Sequence, residues 1–254
     1  MRKRSQEELD RLFAEELALW DKAQKASEPG PLVAYLTAYP SGRFSELAQV
    51  RLDGLLARQG EKKIRIANAE TNPFTKGSAV AGQFRIGDRY AYRVVDLLTR
   101  IQSAEYTQVV TGITDSEVIY NQGAAITDLL GNPQKNPDGR RNSQNQFYAS
   151  GYSLGKTWNT RYRVTFPSGK EDEVEENFRV VAREEITVPA GTFDAFRVES
   201  TGHRIRDPVT VKRAYRVAPG TIARFIAHEV TARNALGQLL TTDRTEVVSF
   251  TPGR

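Results

Sequence analysis

The chain has 254 residues, long enough for one or two domains with a core of their own, and its 39% hydrophobic and 26% charged residues are ordinary for a folded protein. It contains no cysteine, which excludes disulfides, thiolate catalysis and cysteine-based metal sites. The formal charge of +5 is spread out: residues 1–60 hold nine basic and nine acidic side chains, and the remaining 27 basic and 22 acidic residues interleave, as in Lys170-Glu171-Asp172. A nucleic-acid binder needs a compact basic stripe with aromatics between the charges, and only Arg140-Arg141 forms such a spot, so no nucleic-acid partner is expected.

The basic start, Met1-Arg2-Lys3-Arg4-Ser5, runs into Glu7, Glu8 and Asp10 instead of an apolar stretch, so no secretory signal is read there. No run approaches the roughly 18 apolar residues of a membrane span. The expected location is cytoplasmic, or periplasmic or secreted if the chain is a piece of a longer precursor.

Ser5-Gln6-Glu7-Glu8 has the spacing of a capping box, in which a serine caps the third helical amide while a glutamate reaches back. Leu9, Leu12, Phe13, Leu17 and Trp20 then recur at helical spacing, up to a break at Ser27-Glu28-Pro29-Gly30. A second helix carries Leu32, Tyr35, Leu36 and Tyr39 on one face, and Pro40-Ser41-Gly42 forces a turn. A third carries Phe44, Leu47, Ala48, Leu52, Leu55 and Leu56, with Gly60 just past its end. Three short amphipathic helices over 1–60 make a helical-hairpin module that can bury little alone. Its Tyr35, Leu36, Tyr39 and Phe44 are the expected contact surface for a protein partner.

Residues 61–86 show no period and read as a linker. From 87 to 251 the period is two: Trp158, Thr160, Tyr162, Val164 and Phe166 alternate with Asn159, Arg161, Arg163 and Thr165, and Val209, Val211, Tyr215 and Val217 alternate with polar neighbours. Turn signals separate about ten such strands, among them Pro167-Ser168-Gly169, Pro189-Ala190-Gly191, Pro219-Gly220 and Asn234 to Gly237. One long polar loop, Gly131 to Gln144, interrupts them. The chain as a whole is therefore α+β: a short helical module, then an all-β antiparallel barrel, half-barrel or sandwich.

Gly151-Tyr152-Ser153-Leu154-Gly155 matches the G-x-S-x-G of a hydrolase nucleophile elbow, and Asp194 with His203 or His228 follows in an order that suits a triad. An elbow needs a strand before the serine and a helix after it. Here an alternating strand follows, so the segment reads as a β-turn, and an esterase using Ser153 is the remote alternative. His228 shares a face with Ile222, Ile226 and Val230 and is expected to be partly buried and hydrogen-bonded. Neither histidine belongs to a metal-ligand motif, and no cofactor motif is present. The carboxylates of Glu171-Asp172-Glu173 and Glu175-Glu176 read as solvated surface. The aromatics of the β region are expected to be core first. If the sheet curls enough to leave a cavity, Tyr92, Trp158, Tyr162, Phe196 and Tyr215 would line a pocket for an apolar ligand.

The helical module, through Trp20-Asp21, Tyr35-Leu36, Tyr39-Pro40-Ser41-Gly42-Arg43-Phe44, Ala48 and Arg51-Leu52, resembles the tetratricopeptide-like region that follows the peptidase domain of bacterial caspase-like proteins. The segments Asn72-Pro73-Phe74-Thr75-Lys76-Gly77, Gly87-Asp88, Tyr90-Ala91-Tyr92-Arg93-Val94, Asp128-Leu129-Leu130-Gly131-Asn132 and Val188-Pro189-Ala190-Gly191-Thr192-Phe193 resemble the β domain closing such chains. The last also resembles a hairpin of lipocalin- or lipoprotein-carrier-like bacterial domains. With no cysteine to act, the resemblance implies a non-catalytic accessory or scaffolding protein, with a caspase-like protease as partner. The alternative is a periplasmic-type carrier of a lipid or other hydrophobic small molecule in the β domain.

Overall fold

A computed structural model describes residues 6–60, 79–80 and 83–253. The chain forms two compact units, Met1–Glu70 and Thr71–Arg254. Ser5, the start of the expected capping box, lies outside the described residues, as does most of the stretch 61–86 read as a linker.

The first unit holds α1 (Gln6–Ala23), α2 (Pro29–Ala38) and α3 (Ser45–Arg58). Pro29 opens α2 as well as ending what precedes it, because the first turn of a helix has no use for the amide that proline lacks. The apolar faces meet at Trp20, whose ring stacks on Phe44 at 5.5 Å and meets Tyr35 edge-on at 5.4 Å. One carboxylate is buried with them. Glu16 accepts bonds from the Tyr35 hydroxyl (2.9 Å), the Arg43 amide (2.5 Å) and Arg43 Nη1 (3.1 Å). A buried carboxylate is tolerated when charge-assisted donors replace its water. Gly42 lies against this carboxylate: a Cβ there would stand 2.4 Å from Glu16 Oε1 and 2.9 Å from the Tyr35 hydroxyl. The Tyr39-to-Phe44 segment is thus a cradle for one acid. Among the described residues no helix is long and apolar enough to cross a membrane.

In the second unit β1 (Ala79–Val80) pairs with β8 (Gly151–Tyr152) as a small separate sheet. Twelve further strands close into an antiparallel barrel: β2 (Arg89–Asp96), β3 (Gln102–Ile113), β4 (Glu117–Tyr120), β5 (Ala125–Asp128), β6 (Pro133–Lys135), β7 (Arg141–Asn142), β9 (Thr157–Thr165), β10 (Glu171–Val188), β11 (Gly191–Arg204), β12 (Val209–Val217), β13 (Phe225–Asn234) and β14 (Leu239–Thr251). The order around the barrel is β10-β11-β12-β13-β14-β2-β3-β4-β5-β6-β7-β9. Of the three forms left open by alternation, the barrel is the one formed.

Two expectations are corrected. The polar stretch 131–144 is not a plain loop: it contains the β6–β7 hairpin, which joins β5 to β9 and completes the ring. Strands of two or three residues show no alternation, and here Asn142 and Asn145 both donate to the Pro133 carbonyl to hold them. The acidic run of β10 is not all surface either. Alternation sends Asp172 and Glu176, both fully buried, inward with Val174, Phe178 and Val180.

Asp172 accepts the amides of Glu173 and Arg206. Glu176 accepts the Ser200 hydroxyl at 2.5 Å and Arg213 Nε at 3.0 Å. The segment between β7 and β9 packs back on the inner face. Phe147 lies 5.8 Å from Phe178, Tyr148 5.2 Å from Tyr215 and Tyr152 6.1 Å from Phe196. The Tyr215 hydroxyl donates to the Phe147 carbonyl at 2.5 Å and so ties that segment down.

Candidate functional site: the open side of the barrel

One transverse row of inward residues measures how the barrel is filled. Register aligns Val180, Val198, Tyr215, His228, Thr245, Val94 and Ala104 on β10, β11, β12, β13, β14, β2 and β3. Val180, Val198 and Tyr215 are sealed, His228, Thr245 and Val94 are half-buried, and Ala104 is exposed. The interior is therefore packed against β10–β12 and uncovered toward β2 and β3. The cause lies in β3. Its neighbour β4 pairs with it only from Val110 onward, and Asn121 closes the next step by bonding the Val109 amide and the Thr107 carbonyl. From Gln102 to Tyr106, β3 has β2 on one side and no strand on the other among the described residues. Tyr106, stacked at 5.3 Å on the fully buried Tyr92, keeps 37% of its surface uncovered.

Deeper in, the rings lead to unsatisfied polar atoms. Tyr92 packs on Phe225 at 4.9 Å, His228 lies 5.5 Å from the same ring, and the Arg224 guanidinium lies over it at 5.7 Å. Arg224 also covers the ring of Tyr120 at 4.9 Å and that of Tyr90 at 6.0 Å. Among the described residues Arg224 Nη1, the Tyr92 hydroxyl and His228 Nε2 are buried without a hydrogen-bond partner, and the Tyr120 hydroxyl, beside Arg224 and Thr127, meets neither in good hydrogen-bond geometry. Arg224 forms no ion pair among the described residues. The buried carboxylate of this region, Asp88, accepts the amides of Arg85 (2.9 Å) and Gly253 (2.8 Å) and the Tyr90 hydroxyl (3.1 Å). Leaving a buried charge without its partner costs a fold about 3–5 kcal/mol. Contact with aromatic faces offsets roughly 0.5–2 kcal/mol of such a cost.

The electrostatics follow from this crowding. Burial, with Arg213 and Arg224 adding to it, pushes His228 down to about 3, so the imidazole is neutral at ordinary pH. Burial raises the Tyr148 phenol to about 12, with Arg224 pulling the other way. Burial also raises Tyr92 and Tyr120, so every phenol here is protonated and able to donate. Arg224 and Thr127 stand close enough to Tyr120 to counter part of that rise. The site is rich in donors and holds a cation with no anion. The sequence leads one to expect His228 partly buried and hydrogen-bonded. It is partly buried, but Nε2 finds no partner, because the rings of Tyr215 and Phe225 flank it edge-on.

Of the residues singled out for an apolar pocket, Trp158 and Tyr215 meet through Phe178, and Tyr162 joins them through Phe147. Phe196 sits with Tyr152, and Tyr92 stands apart in the Phe225 group. All five lie on the packed inner wall, and only Trp158 is not fully buried. The expected partner surface on the helices is corrected: Tyr35 and Leu36 are 0% exposed and Phe44 is 4%, so only Tyr39 reaches solvent. Ring packing on Trp20 and the Glu16 bonds use up that face.

Ser153 occupies a β-turn in which the Lys156 amide bonds the Ser153 carbonyl and Gly155 takes a left-handed φ of 82°. The turn docks on β10 through Gly155 and Val180, and a strand follows instead of a helix. Asp194 is exposed and pairs with Arg183, and His203 lies nine residues further along the same strand, roughly 30 Å away at about 3.3 Å per residue. Those two cannot serve one serine. Sequence reasoning passed over Arg224 and Tyr120, and took Tyr106 only as one of the many aromatics of the β region. The one available signal was an arginine next to a strand's first aromatic, inside an otherwise apolar Ile222-to-Ala227 stretch.

No known family profile matches the chain, and no curated protein matches it in sequence. Solved structures similar to this chain include the following three. A Bacteroides fragilis protein named as exported, with a YmcC-like fold, is 13% identical with a TM-score of 0.45, covering 68% of this chain and 99% of its own. A Parabacteroides distasonis protein named as a lipoprotein is 11% identical with a TM-score of 0.43, covering 69% and 100%. The hypothetical lipoprotein YmcC of Escherichia coli is 10% identical with a TM-score of 0.40, covering 65% and 85%. Nothing about what this chain binds follows from their names.

Proposed function

We propose that the β domain is a carrier that holds a lipid or other apolar-tailed ligand against the open side of its barrel. The observation that supports this best is the Tyr92–Tyr106 pair: an inward-facing aromatic stack sealed at one end and uncovered at the other, beside an unpaired strand edge. Inward-facing Val94, Ala104 and Val230 continue that uncovered wall. Apolar surface left open inside a barrel gains roughly 25 cal/mol per Å² when a tail covers it. The barrel binds and releases and performs no chemistry in this reading. The scaffolding role that the helical segment suggested loses its expected surface, since three of its four residues are core.

The test is native mass spectrometry of the purified chain, followed by solvent extraction and dye binding to the stripped protein. A retained apolar compound, or micromolar binding of an uncharged solvatochromic dye that hexadecanol displaces, is the expected result. A stripped protein that binds neither dye nor hexadecanol overturns the carrier reading.

A further inference from the structure

We infer that Arg224 anchors the head group of the carried ligand, that the Tyr92 and Tyr120 hydroxyls are its companion donors, and that this head group is a compact oxyanion, a carboxylate in the first instance. The inference rests on the carrier reading and adds to it the chemical class of the ligand.

Ring contacts link the open side to the anchor: Tyr106 stacks on Tyr92, Tyr92 packs on Phe225, and the Arg224 guanidinium lies 5.7 Å from the Phe225 ring. A tail lying along Val94 and Tyr106 would run beside these rings, and its head would reach the unpartnered atoms where the sealed Tyr92 and Phe225 rings part to admit it. Those atoms decide the chemistry. A guanidinium has only donors and stays charged at any pH of interest. Among the described residues Arg224 Nη1 has no acceptor and the Tyr92 hydroxyl no partner, while the Tyr120 hydroxyl stands beside Arg224 and Thr127 with its proton free to turn to a ligand. Asp88, which could have answered the cation, is held by two amides and the Tyr90 hydroxyl.

A guanidinium with no carboxylate to answer it, and hydroxyl donors beside it, matches an oxyanion and repels an ammonium. A neutral alcohol or ester head would leave the cation unanswered. His228 beside it is neutral, chiefly through burial, so the positive charge that an anion would answer is the guanidinium's. A packing role for Arg224, stacking on Tyr120 and Tyr90 and nothing more, predicts no preference for charge in the ligand.

The experiment uses the full chain, stripped of ligand, with hexadecanoate, hexadecanol, hexadecyl phosphate and acetate as probes in dye displacement. Hexadecanoate is expected to bind about 10- to 100-fold tighter than hexadecanol, the range that a charge-assisted hydrogen bond supplies. Arg224→Met should lower hexadecanoate to the level of hexadecanol and leave hexadecanol unchanged. Tighter binding of hexadecyl phosphate, lost in the same variant, keeps the anchor and names phosphate as its partner. Acetate alone should bind too weakly to displace the dye.

Equal binding of hexadecanoate and hexadecanol by the unaltered chain overturns the anchor while leaving the carrier standing. Binding of neither overturns the carrier itself. Should Arg224→Met fail to fold, the doubly altered Tyr92→Phe, Tyr120→Phe chain removes the companion donors with little change in shape and should lose most of the preference. An independent readout is the imidazole of His228, one of only two histidines. Burial is the main reason it stays neutral and the guanidiniums add to it; an oxyanion at Arg224 offsets that added part, so hexadecanoate should raise its titration measurably. Hexadecanol should not. A His228 titration unmoved by saturating hexadecanoate places the anion elsewhere and overturns the assignment.

Discussion

Tyr92 and Tyr106 face each other across β2 and β3 with ring centres 5.3 Å apart, yet Tyr92 is fully buried and Tyr106 is 37% exposed. Two residues of one type, on one face and at one level, thus sit on opposite sides of the boundary between core and site. Their substitutions should separate. Tyr92→Ala opens a cavity in the sealed wall and should cost about 3–5 kcal/mol of unfolding free energy. Tyr106→Ala removes a ring with free surface and should cost less than about 1.5 kcal/mol, while weakening dye and lipid binding several-fold. Urea unfolding and dye titration of both variants check this, and a Tyr106→Ala chain with full affinity would remove the open wall from the binding site.

Stability toward acid should carry the mark of two buried groups with opposite signs. His228, pushed down to about 3 in the fold against an ordinary value of about 6.5, leaves the unfolded chain to bind the proton first. Stability is therefore lost as pH falls from about 6.5 toward 3, at no more than about 1.4 kcal/mol per pH unit. Asp128, raised to about 6 by burial despite amide and side-chain bonds from Leu130 and Asn132, takes its proton first in the folded chain. It adds stability as pH falls from about 6 to 4. The two nearly cancel in that window, and the loss should steepen below about pH 4, where only His228 still acts. His228→Gln should flatten the low-pH limb in urea midpoints measured across pH 3–8.

The long strands were legible because one face of each is mostly apolar, as on β9 and β12, where Thr160 and Arg213 are the exceptions. The short ones were not. In β6 and β7 the barrel closes through backbone bonds and asparagine side chains, and neither leaves a hydropathy period. The carboxylates of Asp172 and Glu176 were misassigned because charge argues for solvent unless a partner is known, and their partners arrive from 24 to 37 residues away along the chain. Alternation, applied strictly, would have put both inside. Arg224 gave still less: it lies in no strand, and its meaning comes only from the four tyrosines that β2, β4 and the Phe147–Tyr148 segment bring around it.

In the helical unit the sensitive residue should be Glu16 and not the aromatics around it. Glu16→Ala strands the Tyr35 hydroxyl and the Arg43 amide in a buried place and should cost that unit about 2–4 kcal/mol. Glu16→Gln keeps a carbonyl acceptor for both and should cost roughly half as much. Helical ellipticity followed during thermal unfolding distinguishes the two. Equal losses would show that the charge, paired with Arg43 Nη1, and not the acceptor, holds the Tyr39-to-Phe44 turn.

The Glu176–Arg213 pair should behave as a buried ion pair whose halves are worth more as partners than as individuals. Glu176 is 0% exposed and uses Oε1 for both Ser200 and Arg213, leaving Oε2 without a partner. Glu176→Leu abandons a guanidinium over the Phe147 ring, and Arg213→Met abandons a carboxylate, so each alone should cost about 3–5 kcal/mol. Together they exchange an imperfectly satisfied pair for apolar volume, and the double variant should recover most of the loss, giving a coupling of about 2 kcal/mol or more in a double-mutant cycle. Burial keeps His228 neutral first and Arg213 adds to it, so the double variant should titrate His228 somewhat closer to its ordinary value. A cycle with no coupling would mean that the packing of Phe147 and Tyr162, and not the ion pair, holds this part of the inner wall.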